Sequence, residues 1–325
     1  MKSLIVAAGL ALLPFAAGAA VITNGNVMLG VNATGSLNTY EGTPSPVMGT
    51  QATGLRYTPT GNEATSHGCL CEGWGVGNGD TGVWGADGGA NTGGPVNLTV
   101  ASFTSTASTA KSVVDLASGG LRVTHDFALA QQTDDLYRVR VSITNTPGVA
   151  IKDLRYTRAM DWDIEPTAFN EFSTIQGTAK ATNVLYSDDN GFASTNPFGS
   201  RSPYFATGDF VDAGAGDIGA LFDFGFGELV ADGTFTFDIF YGGASTETEA
   251  LLALSKVGAE VYSLGQSALD MGGEGGEGFN TFVFGFAGVG GEVVLPPSAV
   301  PVPATAGLLL GGLGLLGAVR AGRRA

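Results

Sequence analysis

The chain is short of the residues on which most enzyme centres depend, with two histidines and two cysteines in 325 residues. From so few bases no order of nucleophile, histidine and acid of the triad kind is assembled. Two thiols beside His67 also leave a zinc or copper site short of donors. Charge is sparse at 14 % of residues, and positive charge is the scarcer half, 15 Lys and Arg against 30 Asp and Glu. All thirty acids lie within 20–299, whereas Lys2, Arg320, Arg323 and Arg324 lie outside it. The stretch between is strongly acidic, which argues against nucleic acid and anionic lipid as partners and permits divalent cations. Glycine is plentiful at 52 residues but follows no Gly-X-Y period, and no repeat of about 20–50 residues marks a solenoid or propeller.

The two ends carry the clearest signals. Residues 300–319 hold no charge; roughly twenty helical residues at about 1.5 Å each match a hydrocarbon core of about 30 Å, so one crossing is expected there. Pro301 and Pro303 stand where a first helical turn tolerates a missing N–H, and Arg320, Arg323 and Arg324 stand where positive residues stay cytoplasmic. The body is then outside. Gly307 and Gly311 have the G-x-x-x-G spacing of paired membrane helices, a spacing that a glycine-rich apolar run also produces by chance. At the other end Lys2, the apolar run 4–15 and Ala17-Gly18-Ala19 form the three regions of a secretory signal peptide cleaved after Ala19.

Val300-Pro301-Val302-Pro303-Ala304, the apolar helix 304–319 and the Arg cluster in 320–325 together resemble the C-terminal sorting signals of the PEP-CTERM class, especially its VPLPA variant, with Val302 in place of the usual Leu. The resemblance implies that a membrane enzyme of the exosortase or archaeosortase type recognises the tail, cleaves it and leaves the body at the cell surface. It implies export through the inner membrane with a transient anchor, and it carries no information about activity. The expected organisation is a signal peptide at 1–19, a body at 20–291, a linker at 292–299 through Pro296 and Pro297, and the sorting signal at 300–325.

The body reads as β. Segments 96–105, 120–129 and 136–145 alternate apolar and polar residues at period two, and Asn145-Thr146-Pro147-Gly148 breaks the run. Further strands are expected at 151–162, 218–225, 233–241 and 280–288, between Gly, Asp and Pro turn signals. This spacing predicts an all-β fold, a large antiparallel β-sandwich. One segment departs from it. Thr246 with Glu249 three residues later is a capping pair, and Leu254, Val257 and Val261 share a helical face, which predicts a helix near 246–264 covering an edge or open end of the sandwich. The Gly-rich, acidic stretch 270–277 predicts an exposed loop.

Four groupings bear on chemistry. Cys69 and Cys71 lie two apart; alternate Cα atoms of a strand are about 6.5–7 Å apart, at the limit for bridging, so a disulfide needs a turn. In an exported protein a local disulfide stapling the Gly-rich loop is the favoured reading, with a redox or metal role as the alternative. Asp161, Asp163 and Glu165 project to one side of a strand while Met160, Trp162 and Ile164 project to the other. Such carboxylates are solvated on an outer face, neutralised by Arg155 or Arg158, or held by a cation, for which calcium is suited; paired acids also serve glycoside hydrolysis. The acidic turns Asp134-Asp135, Asp188-Asp189-Asn190-Gly191 and Asp209, Asp212 and Asp217 lack EF-hand spacing and suit ordinary turn chemistry. His125 lies beside Asp126 in a strand, so the two face opposite sides.

Segments 68–75, 102–107, 160–167 and 282–290 resemble a secreted bacterial family with no assigned activity. The succession of strands into Asp161-Trp162-Asp163 is also similar to the supersandwich domains of carbohydrate-active proteins. The expected function is that of an exported cell-surface or matrix-associated protein of structural or adhesive type, meeting extracellular polysaccharide and assigned no catalytic residue. The alternative is a carbohydrate-binding or carbohydrate-active domain, calcium-dependent or not, which requires Trp74, Trp84, Trp162 or Tyr156 in an open groove beside the acids.

Overall fold

Where the sequence alternates at period two, strands form. The computed structural model describes residues 18–88, 93–270 and 280–296. The described chain begins with β1 (Ala19–Thr23), β2 (Val27–Asn32), β3 (Leu55–Tyr57), β4 (Asn62–Glu63), β5 (Glu72–Asn78) and β6 (Val83–Gly88). An up-and-down run follows: β7 (Leu98–Ser105), β8 (Ala110–Leu116), β9 (Leu121–Leu129), β10 (Leu136–Asn145) and β11 (Ile151–Asp161). Then come β12 (Glu171–Gln176), β13 (Val184–Asp188), β14 (Phe210–Gly216), β15 (Gly219–Leu229), β16 (Thr234–Ala244), helix α1 (Glu247–Val257), β17 (Val261–Ser267) and β18 (Thr281–Ala287).

The fold is mostly β, with large antiparallel sheets. A four-stranded sheet runs β1-β2-β3-β4, a nine-stranded sheet runs β14-β12-β17-β18-β16-β10-β9-β8-β7, and a five-stranded sheet runs β13-β15-β11-β5-β6. Alternation is visible as alternating burial. Leu121, Val123, His125 and Phe127 of β9 and Val139, Val141 and Ile143 of β10 point inward. On the outer side Arg122 grips Asp115 and Arg140 grips Asp238 through paired hydrogen bonds of 2.7–2.9 Å, the cross-strand pairs that suit a wet face. Rings of the five-stranded sheet meet rings of the nine-stranded one: Tyr156 lies 5.1 Å from Phe237, and Phe222 and Phe224 each lie 4.9 Å from Phe286. Val27, Leu29 and Val31 of β2 join the same core.

β5 forms where a glycine-rich loop was expected. All of its residues are buried, glycines included. Glycine weakens a strand unless another backbone must lie close, and that holds here: a Cβ on Gly75 would strike the Thr195 carbonyl, and one on Gly77 would stand 2.5 Å from the Phe198 ring.

The helix starts as the capping pair predicts, with the Thr246 hydroxyl accepting the Glu249 N–H at 3.2 Å. It ends earlier than 264. Gly258 takes φ 70°, closing the helix in the left-handed conformation, and Val261 belongs to β17 rather than to the helical face. Ala250, Ala253 and Leu254 pack on Phe240, Leu264 and Val283. These alternate with Ile239, Tyr241, Phe282 and Phe284, which face the main core, so α1 covers the far face of the nine-stranded sheet and not an edge or open end.

The described residues through Leu295 form one compact unit. No helix among the described residues is long and apolar enough to cross a membrane. The leader expected at 1–19, except its last two residues, the tail at 300–325, and all of the 270–277 loop but Asp270 lie outside the described residues.

Candidate metal centre

Two crossings between sheets run side by side. After β11 the chain leaves the five-stranded sheet and enters the nine-stranded one at β12; between β14 and β15 it returns through only Asp217 and Ile218. The β11–β15 ladder opposes Asp161 to Gly219, and the same register continued opposes Asp163 to Asp217. The β12–β14 ladder opposes Glu171 to Gly216. Hydrogen-bond register thus gathers four acids from two distant segments.

Their backbone is pinned. The N–H groups of Asp161, Trp162 and Asp163 donate to the carbonyls of Cys71 (2.9 Å), Ile218 (3.1 Å) and Ala64 (2.7 Å), three separate segments. Gly191 and Gly219 cross directly over this turn, and a Cβ on them would stand 2.5 and 2.8 Å from the Asp161 Cα. Trp162 points the opposite way, donating its Nε1–H to Ser263 Oγ at 3.1 Å. The alternation read from the sequence is present, but neither side is solvent: Asp161, Trp162, Asp163 and Glu165 are all fully buried. The outer-face expectation fails because β11 is a central strand whose end is covered by the 64–71, 189–191 and 217–219 segments.

The three expected acids also separate. Glu165 accepts from the hydroxyls of Ser45 and Thr50 and from the Glu63 N–H at 3.0 Å, with His67 Nδ1 4.0 Å away. It is satisfied there and takes no part in the cluster. Neither arginine neutralises the set, since Arg155 pairs with Asp153 and Arg158 with Glu72. Asp161 and Asp163 are joined instead by Asp217, a carboxylate oxygen from each lying within 4.8 Å of the other two. Asp217 is exposed and closes the cluster on its solvent side.

Both carboxylate oxygens of Asp161, both of Asp163 and Oε2 of Glu171 are buried without a hydrogen-bond partner. Glu171 Oε1 accepts the Ile164 N–H at 3.2 Å. Among the described residues no Lys, Arg or His pairs with any of these four acids. Burial, then the charge of the neighbouring carboxylates, holds the Asp161 carboxyl well above the usual range and raises that of Asp163. Burial lifts Glu171 to about 9, against the lowering effect of the Asn170 and Ile164 N–H groups, and it raises Asp217 as well.

Cys69 and Cys71 are joined as a disulfide, their Cα atoms 5.3 Å apart across a turn. Their sulfurs lie within 4.8 Å of an Asp161 oxygen. Bonded to each other they offer no thiolate, so the donors of the cluster are oxygens. His67 is held 2.5 Å from Thr50 Oγ1 and packs on Phe169.

A second buried charge group lies on the same strand. The Arg158 guanidinium pairs with Glu72, which also accepts the Tyr241 hydroxyl (2.8 Å) and the Leu37 N–H (2.7 Å). Arg158 further donates to the Tyr156 hydroxyl (3.1 Å), His125 Nε2 (3.2 Å) and the Gly35 carbonyl (3.2 Å). His125 is inside while Asp126 faces out beside Lys111, as the strand period requires.

Asp135 accepts from the side chains of Thr133 and Asn26 and Asp212 from the Thr174 hydroxyl, and the other acidic turns serve the backbone. Asp189 accepts the N–H groups of Tyr204, Phe205 and Ala206 at 2.7–3.0 Å, Asp188 that of Asn190, and Asp209 that of Thr178. Trp74, Trp162 and Tyr156 are fully buried, and Trp84 is half-buried. Two members of the cluster escaped the sequence reading: Asp217 stood among turn residues and Glu171 drew no notice. The only available signal was the antiparallel pairing of 151–162 with 218–225, which sets 163 opposite 217. No family model matches the chain, and no curated protein matches it either.

Proposed function

We propose that this chain is an exported cell-surface or matrix-associated protein of structural or adhesive type, delivered by its C-terminal tail. The observation that carries this reading is the enclosure of a strongly acidic body between a secretory leader pattern and the Val300–Pro301–Val302–Pro303–Ala304, apolar and arginine succession. The body is a β-sandwich, supersandwich-like in the size of its main sheet, and a disulfide suits the oxidising space it would occupy. An exosortase-like membrane enzyme is the partner that processes the tail, and extracellular polysaccharide is the partner class the delivered body would meet. A carbohydrate-cleaving or carbohydrate-binding site built on Asp161, Asp163 and Glu165 has less support, because three of its four aromatic platforms are inside the core.

Mass spectrometry of the protein released from the cell surface tests the reading. A C-terminus near Pro303 is expected; an intact Arg324 on surface protein would overturn processing.

A further inference from the structure

We infer that Asp161, Asp163 and Asp217 bind one divalent cation, calcium in an exported protein, with Glu171 as the adjoining acceptor. A group of acids alone would not carry this. What carries it is that Asp161 and Asp163 are fully buried, with all four of their carboxylate oxygens unpartnered and an oxygen of each directed to within 4.8 Å of its neighbours.

The spacing fits a shared ion. Oxygens bound at about 2.3–2.6 Å to one calcium lie within about 5 Å of one another. The donor chemistry fits as well: carboxylates without imidazole or thiolate select a hard cation over zinc or copper. Three backbone hydrogen bonds and two glycines hold the Asp161–Asp163 turn in place before any ion arrives. Exposed Asp217 gives the ion an entry path, and solvent on that side supplies the rest of a six- to eight-oxygen shell. Calcium tolerates an irregular shell, whereas magnesium demands a near-octahedral one.

The rival arrangement is a proton shared between Asp161 and Asp163. Protons on these carboxyls and on Glu171, which burial lifts to about 9, make hydrogen bonds between one pair of oxygens at a time. A cation reaches several of these oxygens at once. The existence of the site does not depend on export; the choice of calcium does, because it rests on the extracellular location proposed above.

The test uses the full-length protein, purified in mild detergent and freed of metal with chelator. Terbium is the probe, because Trp162 lies between two of the ligands and sensitises bound terbium when the indole is excited. Saturable emission is expected, reversed by calcium with a dissociation constant of about 10⁻⁴–10⁻³ M, the range of extracellular modules. The thermal midpoint should rise with calcium. Asp217→Asn changes an exposed residue and should weaken binding about tenfold or more, while Glu165→Gln should leave it unchanged. Absence of both emission and any midpoint shift with calcium, magnesium or manganese would overturn the site in favour of shared protons. Binding that survives Asp217→Asn undiminished, or disappears with Glu165→Gln, would overturn the ligand set. A preference for magnesium or manganese would overturn only the calcium assignment and, with it, the use made of the exported location.

Discussion

Arg158 and Asp161 lie three residues apart at the end of β11, and both are fully buried. Around Arg158 the chain supplies a carboxylate, two phenolic hydroxyls, an imidazole and a carbonyl, drawn from β5, β9, β11, β16 and the loop after β2. Around Asp161 it supplies more carboxylates. The first group is closed: the opposite charge is inside the chain, and His125 of β9 and Tyr241 of β16 tie the five-stranded sheet to the nine-stranded one. The second is open, with like charges converging and Asp217 facing water. Burial of ionisable groups is thus common to both, and the presence of an internal counter-charge is what separates a brace from a binding site.

The sharpest way to break this comparison is to open the closed group. Arg158→Met leaves Glu72 buried without its counter-charge and should cost about 3–5 kcal/mol in chemical denaturation. Adding Glu72→Leu to that variant should recover a large part of the loss; a loss below about 1 kcal/mol in the single variant would mean that the network braces nothing. Neutralising the open group should have the opposite sign. In chelator Asp163→Asn should raise stability by about 1–3 kcal/mol, since its amide brings N–H donors to buried carboxyl oxygens that have none. In millimolar calcium the order of variant and parent should reverse, and an unfolding curve insensitive to calcium in both would deny the difference between the groups.

The pH dependence of the closed group follows from His125. Its burial, and then the Arg158 charge, holds its pKa well below the usual value. The groups facing it are the Arg158 guanidinium, the Tyr156 hydroxyl and the Trp74 ring, with Glu72 beyond Arg158. As pH falls below about 6.5 the unfolded chain takes up a proton that the folded chain refuses. The contribution of this residue to stability is therefore complete above that pH and declines below it, by at most about 1.4 kcal/mol per pH unit. His125→Gln should flatten that limb relative to the parent between pH 5 and 6.5, about the window in which histidine titrates; an unchanged slope would place the sensitivity elsewhere. The smallest effect sets the scale for the rest. Thr246→Ala, remote from both groups, removes the helix cap and should cost about 1 kcal/mol without altering the response to calcium.

Much of the sheet was legible because alternation is a local property. β7, β9 and β10 lie close to where period two places them, and β16 and β18 close to where the turn signals bound them. β5 was not, because its glycines carry no side-chain pattern and are there for the backbone that lies over them. β17 was read as the end of a helix, since Val261 continues the helical spacing of Leu254 and Val257 and only the turn at Gly258 breaks it. At the site the opposed faces of Asp161 and Trp162 were legible, whereas the burial of both faces was not. Glu165 leaves the row because the chain turns away after β11 and finds Ser45 and Thr50.

By itself the sequence determined the β character, the helix start at Thr246, the acidic balance and the alternation through Asp161 and Asp163, because each depends on a residue and its near neighbours. The tertiary structure alone decided which acids meet and which are neutralised. Arg158 goes to Glu72, Glu165 goes to hydroxyls, and Asp217 comes to Asp163 from 54 positions away by the register of one ladder. Electrostatic partnership is set by distance in space and by the exclusion of water, and neither is written in the spacing along the chain.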